Sequence, residues 1–148
     1  MATSLQKHYD QLLAKYKEMI VLRTAGDIVY WDMETKMPAM GLGLRSEQLS
    51  FIGLTTHKMI TDRRIGAHLD AVEKDRAFDS LDEVQTRNVH LLRKAYDEES
   101  KLPDKLVAEM SKQQILATDT WKRAKAAKDY SMPRRLASSE RCTRLGVS

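Results

Sequence analysis

From Leu5 onward, apolar side chains at Tyr9, Leu12, Leu13, Tyr16, Met19 and Ile20 recur every three or four positions, the spacing of a helix with one buried stripe. The pattern can run on through Val21, Leu22, Ile28, Val29, Tyr30 and Trp31, although Gly26 weakens strict continuity. Pro38, Gly41 and Gly43 then punctuate the chain, so Met33 to Gly43 is expected to be a connection and a second helix to begin near Leu44. Leu49, Ile52, Thr56, Met59 and Ile60 give that helix its buried side. Thr61 and Asp62 read as a cap, and Ile65, Leu69 and Val72 carry a shorter third helix.

Polar residues from Lys74 to Asp79 mark the next break, and Ser80 with Glu83 has the spacing of a capping box. Leu81, Val84, Asn88, Leu91, Leu92 and Ala95 then predict a fourth helix ending near Ser100. Leu102-Pro103 stops it and opens a fifth, whose stripe is Leu106, Met110, Gln113, Ala117, Trp121 and Ala124, fading near Asp129. After Ser131 the character changes. Met132-Pro133-Arg134-Arg135 breaks the helix, and the end offers only scattered apolar side chains, so residues 132–148 are expected to be a basic, poorly ordered tail behind a helical domain of residues 1–131.

Composition agrees with an all-α protein of about five helices in an antiparallel array. The 148 residues are expected to make one domain or one fragment, with six Gly, three Pro, 42% hydrophobic and 31% charged residues. The net charge of +4 is unevenly spread: residues 121–148 carry +6 and the preceding 120 carry −2. A nucleic-acid reader carries its positive field on the folded face that docks, so a nucleic-acid partner is not expected. Cys142 stands alone, which excludes an internal disulfide and fits a reducing, cytoplasmic location. No apolar run approaches the roughly 18 residues of a membrane span.

Chemistry-bearing patterns are sparse. His8, His57, His68 and His90 include no pair at the three- or four-residue spacing that shares a helical face. His57 and His68 would stand about 16 Å apart along a helix, too far for one ion. H-E-x-x-H, G-x-S-x-G and phosphate-binding glycine loops are missing from the sequence. Acidic runs such as Asp97-Glu98-Glu99 read as a solvated face, and Cys142 between Arg141 and Arg144 reads as a bystander thiol. No catalytic or metal-binding residue is assigned.

One segment stands out. Trp31-Asp32-Met33-Glu34-Thr35-Lys36-Met37-Pro38 sets an indole, an acid and a proline-fixed bend at a helix end. Asp32 and Thr35 can serve free backbone groups in the turn while Trp31 and Met37 bury area, which makes the corner architectural. The alternative is that it borders a binding cleft.

At this corner the chain resembles the carboxypeptidase Taq family of metal-dependent carboxypeptidases. The resemblance lies in Tyr30-Trp31-Asp32, Glu34-Thr35 and Met37-Pro38, followed by Gly41, Arg45, Glu47-Gln48-Leu49, His57 and Thr61-Asp62. It continues through Asn88-Val89, Leu91-Leu92-Arg93, Leu102-Pro103, Trp121, Ala124, Ala127 and Asp129-Tyr130-Ser131, and so spans roughly residues 5–131. Lys36 and Met40 depart from the family's usual aromatic residue and glycine, and after Ser131 the likeness ends abruptly, as a frameshift or a truncated gene would end it.

The resemblance implies an all-helical, homodimeric and much longer enzyme that removes C-terminal residues from peptides with zinc or a similar divalent ion. It also implies that the metal site, on an H-E-x-x-H helix, lies beyond the matched stretch. The matched helices wall the substrate cleft, and Trp31, Asp32, Thr35, Met37, Pro38, Arg45 and Gln48 form the signature corner. This chain is then expected to hold no cofactor of its own, to be inactive alone, and to self-associate through apolar helix faces left uncovered. The alternative reading is a small helical interaction module that docks on a full-length relative or on an acidic partner.

Overall fold

A computed structural model of the chain describes residues 4–38, 40–129 and 131. The expected tail, residues 132–148, and Cys142 within it lie outside the described residues. Among the described residues the fold is all-α: α1 (Ser4–Thr35), α2 (Leu42–Ile60), α3 (Arg63–Glu73), a single 3-10 turn (Phe78–Ser80), α4 (Glu83–Glu99) and α5 (Asp104–Ala127). None of these helices is long and apolar enough to cross a membrane.

Helix α1 is unbroken for 32 residues, and its buried positions Leu5, Leu12, Met19, Gly26 and Met33 follow a strict seven-residue repeat. An ideal helix drifts by about 20° per heptad against such a repeat, so the buried stripe winds slowly around α1 and meets different partners along its length. Its first half joins α3 and α4: Leu5, Tyr9 and Leu12 pack with Ile65, Leu69, Val72, Val89 and Leu92, and Tyr16, Phe78, Leu81 and Tyr96 close over them. Leu12, Leu69, Val72 and Val89 are fully buried, each a gain of roughly 1.5–3 kcal/mol over an exposed side chain.

The second half of α1 lies against α2, and Gly26 is what lets it. A methyl group there would stand 3.0 Å from Ile52 Cγ2, so the residue that locally weakens the helix also permits the close crossing that holds it. For this reason α1 continues through Met33, Glu34 and Thr35, and the connection expected over Met33–Gly43 shrinks to residues 36–41.

Helix α5 runs antiparallel to α2. His57, near the end of α2, meets Asp104 at the start of α5, while farther back along α2 the Ser50 hydroxyl donates to Ala108 O at 3.4 Å. At the far end Lys122 crosses to Glu34 Oε2 of α1 at 2.8 Å.

Three expectations are corrected. The capping box of α4 is Asp82 with Gln85: Gln85 N–H donates to Asp82 Oδ1 at 2.7 Å and Asp82 N–H to Gln85 Oε1 at 3.1 Å. Ser80 instead closes the 3-10 turn, its hydroxyl donating to Ala77 O. Helix α4 buries Val89 and Leu92 while Val84 and Leu91 face solvent, and α5 buries Ile115, Thr120 and Ala124 while Leu106, Met110 and Trp121 are about half exposed. Both helices carry apolar residues on two faces, and only packing against α3 and α2 selects one.

Candidate functional site

The signature corner forms where α1 ends and α2 begins. Lys36 N–H and Met37 N–H both donate to Asp32 O, at 2.8 and 2.9 Å, which winds up the last turn of α1, and the Thr35 hydroxyl donates to Trp31 O at 2.7 Å. The Asp32 carboxylate does not serve the turn backbone as expected. It faces α2, where Arg45 Nε donates to Asp32 Oδ2 at 2.8 Å and a terminal nitrogen of the same guanidinium reaches that oxygen at 2.7 Å. The other terminal nitrogen, Arg45 Nη1, donates to Gln48 Oε1 at 2.7 Å. A planar guanidinium presents its donors in a fixed fork, so one arginine locks the angle between two helices.

The structure thus brings Asp32, Arg45 and Gln48 into one hydrogen-bonded chain, with Thr35 and Met37 in the turn beside it. Trp31 is the exception. Its indole is 60% exposed instead of burying area. Pro38 is also exposed, and Met37 is half-buried. Glu34 pairs with Lys122, so the end of α5 closes on the same corner.

A second polar cluster sits at the other end of α2. His57 is buried, with Nδ1 2.9 Å from Glu99 Oε2, Nε2 3.2 Å from Leu102 O and 3.5 Å from Asp104 Oδ1. One imidazole therefore ties the end of α2 to the end of α4 and the start of α5. Beside it lies a cleft of about 280 Å³ between four helices, bordered by Tyr16, Arg23, Thr56, His57, Glu99 and Val107.

The spacing rules for a shared helical face passed over Glu99, which looks like one acid in a solvated run, and over His8 with His68, whose Nδ1 atoms stand 3.1 Å apart across α1 and α3. Neither contact leaves a local signal, because the partners are 42 and 60 residues apart. Burial against α1 holds the His68 imidazole below the ordinary histidine range; His8, Lys15 and Arg64 push the same way, and Asp62 opposes them.

Among the described residues no three His, Cys, Asp or Glu side chains come close enough to hold a metal. The described residues thus offer no three-ligand set of the kind that holds the ion of a metallopeptidase.

The model of the carboxypeptidase Taq (M32) metallopeptidase family matches residues 11–137. The chain belongs to this family. Thermostable carboxypeptidase 1 of Pyrococcus furiosus is 28% identical over 121 residues, and thermostable carboxypeptidase 1 of Thermus thermophilus is 29% identical over 123. Each alignment covers 82% of this chain but 24% of the relative. Carboxypeptidase 1 of Bacillus subtilis is 28% identical over 133 residues, covering 86% of this chain and again 24% of the relative. The BsuCP crystal structure superposes with a TM-score of 0.80 at 24% identity, over 85% of this chain and 25% of that one, which establishes the likeness of fold. The M32 chain described here therefore spans about a quarter of the length of the curated relatives it matches.

Proposed function

We propose that this chain is the N-terminal helical portion of an M32 metal-dependent carboxypeptidase, a scaffold that walls a peptide cleft and does not hydrolyse peptides alone. The observation that supports it best is the coverage: a family match over most of this chain meets only 24% of each relative. Peptide hydrolysis by a metallopeptidase needs an ion to polarise the carbonyl and activate water. The sequence has no H-E-x-x-H to hold one.

In this reading the Asp32–Arg45–Gln48 chain and the His57 cluster set the angles among α1, α2 and α5, and so the shape of the wall. The purified chain, supplied with zinc or cobalt and a peptide with a free C-terminus, is expected to release no amino acid. Metal-dependent release by this chain alone would overturn the proposal.

Self-association accompanies this reading. Val21, Ile28 and Trp31 lie on one outward stripe of α1 and are each 60–70% exposed, and Phe51 of α2 is 68% exposed. Apolar stripes of this kind favour association in water. Light scattering is expected to give dimers or larger species at high concentration, and Ile28→Glu to lower the average mass. A monomer at all concentrations refutes the association.

A further inference from the structure

His8 on the second turn of α1 and His68 in the middle of α3 are both half-buried, with their Nδ1 atoms 3.1 Å apart and ring centroids 5.4 Å apart. At that separation one proton at most fits between the two nitrogens, so at least one presents a lone pair to the other. Both rings hang from helices fixed by the main core, since Tyr9 of α1 and Leu69 of α3 are each 4% exposed or less. The bite is therefore set before any ligand arrives.

A borderline cation bonds imidazole nitrogen at about 2.0–2.1 Å, and a 3.1 Å separation then subtends an angle of about 95–102° at the ion, between square and tetrahedral values. We propose that His8 and His68 form a two-imidazole site for a nitrogen-preferring divalent transition-metal ion, which completes its coordination with water and staples α1 to α3.

The charges around the pair shape its selectivity. Lys15 and Arg64 are the cations that face it, and Asp62 is the anion. Asp62 holds Arg64 through Nε contacts of 2.9 and 3.1 Å and also acts on Lys15, so it partly offsets both cations. With no carboxylate in the bite, hard oxygen-seeking ions gain nothing there, so Mg²⁺ and Ca²⁺ are excluded. Affinity is expected to rise towards Cu²⁺, following the general order for divalent ions. Binding takes both Nδ1 lone pairs, so the proton held between two neutral rings moves to Nε2 of its own ring, and a proton is released only where the pair carries an extra one.

The test uses the full chain carrying Cys142→Ser, which removes the thiol as a competing ligand. Calorimetric titration with Ni²⁺ and with Cu²⁺ is expected to show one saturable site per chain, tighter for Cu²⁺, and the same titration with Mg²⁺ no heat. Melting temperature is expected to rise with the bound ion. His8→Gln and His68→Gln are each expected to weaken binding at least tenfold, with helicity retained by circular dichroism and His90→Gln without effect. The copper adduct of the chain with both histidines intact is read by electron paramagnetic resonance, where two imidazole nitrogens are expected, independently of whether a variant folds. Lack of a saturable site, a single nitrogen ligand, or equal loss in His90→Gln would overturn the assignment.

Discussion

Arg45 Nε donates to Asp32 Oδ2 at 2.8 Å, joining the last turn of α1 to the first turn of α2 across a connection of six residues. Both side chains are roughly 30% exposed, which screens the charge pair but leaves the fork geometry intact. Arg45→Met is expected to cost about 1 kcal/mol, because it strips the donors from both Asp32 and Gln48. A double-mutant cycle with Asp32→Asn, followed by chemical denaturation, measures the coupling. Strict additivity of the two single changes would show that the pair sets no angle.

Much of the fold was legible because it rests on local rules. The apolar residues of α1 at three- and four-residue spacing, the Asp62 cap, and the Pro103 stop between α4 and α5 each act within a few residues. What was not legible depends on which of two possible faces a helix buries. Leu106, Met110 and Trp121 make as good a stripe as Ile115, Thr120 and Ala124, and α2 arrives on the side of Ile115. The corner residues stood out in the sequence by type and resemblance, yet their partnership did not: Asp32 could as well have capped its own turn. His57 with Glu99, and His8 with His68, are contacts between helices, which a reading of one helix at a time cannot find.

His57 is the clearest case of a polar group whose removal must be felt. Its ring is 3% exposed, and its two nitrogens hold Glu99 and Leu102 O. His57→Ala opens a cavity and strips both partners of a hydrogen bond that water must replace, which is expected to cost roughly 2–4 kcal/mol. Glu99→Gln, which keeps a hydrogen-bonding side chain facing Nδ1, is expected to cost less. Thermal melts of the two variants check the order, and a smaller loss for His57→Ala than for Glu99→Gln would contradict it.

Asp62 gives α3 a pH-dependent start. Its carboxylate accepts from Arg64 N–H at 2.8 Å and from the Arg64 guanidinium, and these hydrogen bonds hold its pKa down to about 2 against an ordinary 3.8. Because the folded value lies below the unfolded one, the charge contributes stability that is fully present above the ordinary value. That contribution is lost as pH falls towards about 2. Asp62→Asn keeps a capping side chain without charge, so it is expected to lower the denaturation midpoint at neutral pH and to match the unaltered chain near pH 2. Asp62→Ala is expected to cost about 1 kcal/mol at neutral pH, since it removes the cap as well. A gap between Asp62→Asn and the unaltered chain that stays constant with pH would show that the charge plays no part.

Gly66 sits where α3 passes under Tyr96 of α4. A methyl group built there would lie 2.6 Å from Tyr96 Oη and 2.8 Å from Cζ, inside any real contact, so either the ring or the helix must move. Alanine is the better helix former by about 1 kcal/mol, and on an open helix face Gly66→Ala would stabilise. Here Tyr96 packs against the main core, so swinging the ring aside gives up part of that packing. Overpacking is therefore expected to outweigh propensity, with a net loss of roughly 1–2 kcal/mol. Tyr96→Leu shortens the side chain and removes the obstacle. In that background Gly66→Ala is expected to turn neutral or stabilising by urea denaturation, since only the propensity gain remains. If Gly66→Ala costs the same whether residue 96 is tyrosine or leucine, the ring is not what reserves this position for glycine.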